Sequence, residues 1–157
     1  MTEDADTGFS RDEKLALVAV LDEVIPPSGE RGMPGAGELG LADAIAEAAR
    51  ANPAMRDAIA SGLARLDAIA REGGAVAFAT LPAAQRTEQF QAVSAEQPGF
   101  VPNLVFPLVT NYYRNPRVLE ALGLEARPPF PKGHAMEPFD EALLDGVRRR
   151  PKMYRDC

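Results

Sequence analysis

The chain has 157 residues, 46% of them hydrophobic, and a formal net charge of −6. That is one ordinary domain with a sizeable core, and its acidic balance argues against general nucleic-acid binding. A single cysteine, Cys157, and a single histidine, His134, exclude an intrachain disulfide, a Cys/His zinc or iron–sulfur cluster and a multi-histidine metal site.

Met1 to Asp6 is acidic and polar, with neither a basic n-region nor an apolar h-region, so no secretory signal is read there. No apolar run approaches the roughly 20 residues needed to span a bilayer. Tryptophan is absent, β-branched residues are sparse and alternating runs are hard to find, which predicts helices and no sheet.

Ser10-Arg11-Asp12-Glu13 has the pattern of a capping box, serine at the cap and glutamate three residues on. It opens a helix to about Val24, with Leu15, Val18, Leu21 and Ile25 on one face and Leu17, Val20 and Val24 widening the stripe. Pro26-Pro27 ends it, and Ser28 to Gly37 is a glycine- and proline-rich loop. Gly35-Ala36-Gly37-Glu38-Leu39-Gly40 matches a dinucleotide-binding spacing. It lacks the preceding strand such a site needs and reads as a connector.

A short helix is expected from Glu38 to about Arg50, with Leu41, Ile45 and Ala49 in register. Asn52-Pro53 caps a longer one to Arg71. Its face is Met55, Ile59, Gly62, Leu63, Leu66, Ile69 and Ala70, with Arg56, Asp57, Ser61 and Arg65 outside. Gly73-Gly74 stops it. Phe78 and Leu81 pack before a further helix entered at Pro82, which carries Ala83, Phe90 and Val93 and breaks at Pro98-Gly99.

Phe100 to Arg114 is dense in apolar side chains, with Pro107 in its interior. A kink is expected there, at a cost of about 3 kcal/mol that packing must offset. Asn115, Pro116 and Gly123 have the chemistry of a side-chain cap, a first helical position and a left-handed terminator, so a short helix lies between them. Beyond Glu125 the prolines repeat without helical period, and an extended arm is expected. Asp140 to Val147 adds a helical turn or two before the basic end at Arg148-Arg149-Arg150. The arm's Phe130, Met136, Phe139 and Leu143 either pack on the helical body or lie across a partner.

The fold class is therefore all-α: a single helical domain of about five to six helices with an extended Pro-rich C-terminal arm. Residues 1–9 form an acidic lead, 10–124 the helical domain and 125–157 the arm with its basic tail.

No nucleophile–base pair, metal cluster or cofactor motif stands out. His134 has no local carboxylate to orient it and reads as a surface or interface residue. The adjacent pairs Asp12/Glu13, Asp22/Glu23 and Asp140/Glu141 diverge by about 100° on a helix and suit solvated faces or helix starts. At the Tyr112-Tyr113 turn, one ring packs in the core and the other satisfies a hydrogen bond at the helix end, or the phenols reach a partner's site. The Arg148–Arg155 tail reads as an electrostatic docking element for an acidic protein surface. Arg148-Arg149-Arg150 lies at the wrong end for a twin-arginine export signal. The partner-interface candidates are Tyr112, Tyr113, Arg114, Phe130, His134, Phe139, Arg148, Arg149, Arg150 and Tyr154.

The order of these features resembles the gluconate 2-dehydrogenase subunit 3 family. The residues that carry the resemblance are Ile25-Pro26-Pro27, the glycine loop, Gly40-Leu41-Ala42-Asp43, the long amphipathic helix and Phe78-Ala79-Thr80-Leu81-Pro82-Ala83-Ala84-Gln85. The Tyr-Tyr turn with Pro116 and Leu122-Gly123 completes the set, over about residues 10–124.

The resemblance implies a non-catalytic helical subunit that supports a large FAD-binding oxidoreductase of the glucose-methanol-choline (GMC) type, oxidising a sugar, glycoside or polyol. It implies no cofactor in this chain, FAD in the large subunit, and a cytochrome c subunit as a further component. The alternative is a stand-alone helical interaction or ligand-binding module. Members commonly carry a twin-arginine signal, which this sequence lacks. The expected location is cytoplasmic, or periplasmic if the chain is exported with a partner or has been trimmed.

Overall fold

Seven α-helices and no strand occur among the described residues of the computed structural model, which are 8–127, 133 and 136–151. The all-α class is as expected. The chain divides into two units, Met1–Arg127 and Pro128–Cys157, and the first holds six of the helices.

Helix α1 (Arg11–Val24) starts on the capping box its sequence announces: the Glu13 amide donates to Ser10 Oγ, and the Ser10 amide to Glu13 Oε2. Its buried face is Ala16, Leu17, Ala19, Val20 and Leu21. Leu15, expected on the core stripe, is 56% exposed. It sits about 200° round the helix from Leu17, and the face that meets the other helices is centred on Leu17, Val20 and Leu21.

The expected helix from Glu38 begins later. Gly37–Leu39 is a 3-10 turn, Gly40 takes a left-handed φ of 66°, and α2 (Ala42–Arg50) follows. That backbone conformation suits glycine and ends the turn before α2 can propagate.

Helix α3 (Pro53–Glu72) is capped by Asn52, whose side chain accepts from the Met55 amide. It packs against α1, α2, α4 (Ala83–Glu96) and α5 (Phe100–Tyr112), which makes it the centre of the unit. Met55, Ile59, Gly62, Leu63, Leu66 and Ala70 are buried as the spacing predicts, and Ile69 is partly buried. Asp67 joins them unpredicted. Its Oδ1 accepts from the Phe78 amide at 2.8 Å, holding the 3-10 turn Phe78–Thr80 against α3.

Helix α4 buries Val93, packs Phe90 against the core and is also tied to the body by polar contacts. Glu23 of α1 accepts from Arg86 Nε at 3.1 Å and from Thr87 Oγ1 at 2.7 Å, and Arg65 of α3 meets Glu96 at 3.2 Å. Helix α5 runs continuously through Pro107 to Tyr112. Helix α6 (Pro116–Ala121) is capped by Asn115 and closes on Gly123 at φ 73°. The Leu124 amide donates to Leu119 and the Gly123 amide to Glu120, the paired bonds of a Schellman motif.

In the second unit Asp140 caps a 3-10 turn, Glu141–Leu144, that continues into α7 (Asp145–Arg148). This is the helical turn expected between Asp140 and Val147.

Candidate functional site

The site is the outward face of α5, and the residues that aim it lie on the inward face. Phe100, Leu104, Leu108 and Tyr112 are buried, one every four residues, so a single narrow stripe faces the core. At the N-terminal end the Phe100 ring lies over Gly62 of α3. A Cβ on Gly62 would collide with the ring's Cγ, Cδ2 and Cε2 atoms, so glycine is what lets the ring approach the helix backbone. Phe90 of α4 meets the same ring edge-on at a centroid distance of 6.3 Å.

At the C-terminal end Tyr112 is 1% exposed, and its hydroxyl donates to the Pro34 carbonyl at 2.8 Å. Burial raises its phenol above the ordinary value, and the nearby Tyr113 and Glu38 reinforce that shift. The loop that supplies Pro34 is itself clasped to α1. Asp22 Oδ1 accepts from the Gly37 amide at 2.7 Å, and the Ala36 amide donates to the Ile25 carbonyl at 3.0 Å.

Gly35 and Gly37 are glycines because that carboxylate fills the space their Cβ atoms would take. The glycine spacing that resembles a dinucleotide fingerprint thus encloses a carboxylate. Such a cradle repels a phosphate, and these residues do not fit a flavin or nicotinamide dinucleotide.

Pinned at both ends from within, α5 turns Pro102, Val105, Phe106, Val109 and Thr110 outward, and with the half-buried Val101 they line a shallow groove. Phe106 is 79% exposed and lies on the side opposite the buried stripe, and Val105 and Val109 are exposed beside it. Helices apolar on every side are normally covered on every side. Contiguous exposed apolar surface of this kind marks an interaction site. Tyr113, 51% exposed, meets the Tyr112 ring edge-on at 5.2 Å and continues the outer face by one turn.

Of the expected interface residues, the structure therefore places Tyr112 in the core and Tyr113 at the surface, with Arg114 exposed beside it. Phe139, Arg148, Arg149 and Arg150 are exposed on the second unit. Phe130, His134 and Tyr154 lie outside the described residues. Phe106, Val105 and Val109 are the surface that sequence reasoning missed. The available signal was a thirteen-residue helix with far more apolar side chains than one buried stripe can use.

Among the described residues no group of three or more His, Cys, Asp or Glu could hold a metal ion, and no helix is long and apolar enough to cross a membrane.

A helical body that leaves one whole helix face uncovered has the build of an interacting subunit. The family described as Gluconate 2-dehydrogenase subunit 3 matches residues 11–125, and the chain belongs to that family. Membership fits an accessory subunit of an oxidoreductase. No match was found among curated proteins, and none among solved structures.

Proposed function

We propose that the chain is the non-catalytic small subunit of a flavin-dependent dehydrogenase. It binds and stabilises a large FAD-carrying subunit of the GMC type, which oxidises a sugar, glycoside or polyol, with a cytochrome c subunit as a further component of the complex. The observation that carries this reading is the uncovered apolar face of α5, in a chain that belongs to a family of dehydrogenase subunits.

Such a face excludes water from a matching apolar surface on the large subunit. Because the small subunit recognises only the folded form of its partner, it stabilises that form by mass action. An interface of about 1,600 Å² in total is the standard size for a stable complex. The α5 face supplies an anchor at Phe106, with Val105 and Val109 around it. Aromatic side chains in well-packed positions carry a disproportionate share of binding energy.

The test is a tagged pull-down from the native cell at low salt, followed by an absorbance spectrum and mass spectrometry of the eluate. A co-eluting flavoprotein with flavin bands is the expected result. A colourless, solitary chain of 16.8 kDa that stays folded would overturn the proposal and favour a stand-alone module.

A further inference from the structure

The second unit has the layout of a docking peptide. Its described helical stretch, Glu141–Leu144 followed by Asp145–Arg148, opens on an Asp140 cap, with Asp140 Oδ1 accepting from the Ala142 amide at 2.9 Å. Phe139, Leu143 and Val147 follow at intervals of four, and all three are exposed, as is Leu144 beside them. Glu141, Asp145 and Arg148 form a separate polar set, with Arg148 reaching Glu141 at 3.7 Å and Asp145 at 3.6 Å. Residues 136–151 are exposed throughout, so no core holds these described residues. Behind the cap the exposed Leu143, Leu144 and Val147 fall three and four residues apart, with Phe139 just ahead of it. Once Glu141–Leu144 winds from a 3-10 turn into α-helix, that spacing suits recognition in which apolar anchors enter a groove.

Charge decides what kind of groove. Between 136 and 147 the sequence carries Glu137, Asp140, Glu141 and Asp145 and no basic residue, and then Arg148, Arg149 and Arg150 come in succession. An anionic bilayer would attract the arginines and repel the four carboxylates interleaved with the apolar stripe. The helical stretch is also short for an interfacial anchor. A protein surface can offer opposite charges at the two ends of one groove.

We infer that residues 139–150 are a helical docking peptide. On docking it winds into one α-helix whose Leu143 and Val147, with Phe139 ahead of the cap, seat in an apolar groove on the large subunit, and that groove carries carboxylates at the end meeting Arg149 and Arg150. This deepens the proposed function and rests on it.

The experiment uses the full chain co-expressed with the large subunit, in three forms: unchanged, L143D/V147D and R149E/R150E. Dissociation constants are measured at low and high salt, and the chain alone is tested against vesicles of mixed anionic and zwitterionic phospholipid. Each pair of substitutions is expected to weaken the complex by at least about tenfold, the truncation or reversal of a real anchor. The penalty for R149E/R150E is expected to shrink at high salt, because exposed charge pairs are screened, while that for L143D/V147D persists.

Melting temperatures of the isolated chains are expected to match the unchanged protein, since these side chains are exposed, and that separates lost docking from lost folding. Equal affinity in all three forms would overturn the docking peptide and leave the subunit reading intact. Vesicle binding that the substitutions abolish, with the complex unaffected, would also overturn it in favour of a lipid surface. If the unchanged chain captures no flavoprotein, both readings fall together.

Discussion

The Tyr112 hydroxyl donates at 2.8 Å to the carbonyl of Pro34, 78 residues earlier in the chain. That bond joins the end of α5 to the loop that Asp22 clasps against α1. It holds the interior side of the very turn whose outer side presents Tyr113. Tyr112→Phe keeps the ring and deletes the donor, leaving a buried carbonyl unsatisfied. It is expected to cost about 1–3 kcal/mol, read from the midpoint of urea unfolding. Hydrogen exchange over residues 26–40 should accelerate in the variant.

The same phenol makes stability depend on alkaline pH. Its pKa is raised above 10.0 in the folded chain, first by burial and then by Tyr113 and Glu38. The folded state thus holds this proton more tightly than the unfolded state. The contribution is fully present below the unfolded value and is lost as pH rises through the folded one. Urea midpoints of the unchanged protein should therefore fall toward those of Tyr112→Phe as pH is taken from about 9 to well above about 10. A gap between the two that stays constant across that range would contradict this account.

Gly62→Ala sets two effects of opposite sign against each other. Alanine favours a helix interior over glycine by about 1 kcal/mol, but its Cβ would meet the Phe100 ring. Overpacking of a filled core costs about 1–3 kcal/mol, and the ring also meets Phe90 edge-on, so net destabilisation is expected. In a Phe100→Leu background the clash is relieved, and Gly62→Ala should become neutral or stabilising. A double-mutant cycle in thermal unfolding measures that reversal of sign.

Asp67 serves the backbone. Asp67→Ala removes the acceptor of the buried Phe78 amide and is expected to cost about 1–3 kcal/mol. Asp67→Asn keeps an oxygen in place and should lose less. Equal losses in the two variants, measured by chemical denaturation, would mean that the charge, with its 3.4 Å contact to Arg71, matters more than the hydrogen bond.

Phe106 and Leu108, two positions apart on α5, should behave oppositely. Leu108 is fully buried, and Leu108→Ala is expected to lose about 2–5 kcal/mol of folding stability. Phe106→Asp should change the stability of the isolated chain by no more than about 0.5 kcal/mol. Its effect should appear in the complex, as a loss of affinity of about 30-fold or more for the flavoprotein partner, measured by titration of the two purified subunits. A Phe106→Asp chain that binds as tightly as the unchanged one would remove α5 from the interface.

Much of the fold was legible because the signals were local. Ser10 with Glu13, Asn52 with Pro53, and Asn115 with Pro116 and Gly123 each act through bonds that reach no more than five residues along the chain. All three sets start or stop helices where their chemistry places them. The α3 stripe was equally readable, because twenty residues give a periodic pattern enough turns to be unambiguous. Helix α1 was harder. Its apolar residues occupy most of its circumference, and choosing Leu17 over Leu15 for the core requires knowing where α2, α3 and α4 lie. The later start of α2 came down to Gly40 adopting a positive φ, which glycine permits at many positions and takes at few.

The sequence by itself determined an all-helical chain with well-marked boundaries and a charge break at its basic end. Caps, prolines and helical periods act through neighbours a turn away, and that range lies inside any local reading. Only the tertiary structure decided that Gly62 admits the Phe100 ring, that Gly35 and Gly37 enclose Asp22, and that Tyr112 turns inward onto Pro34 while Phe106 faces out. Those outcomes join residues between 13 and 78 positions apart. Which side of an apolar helix is buried is a property of what packs against it, not of the helix.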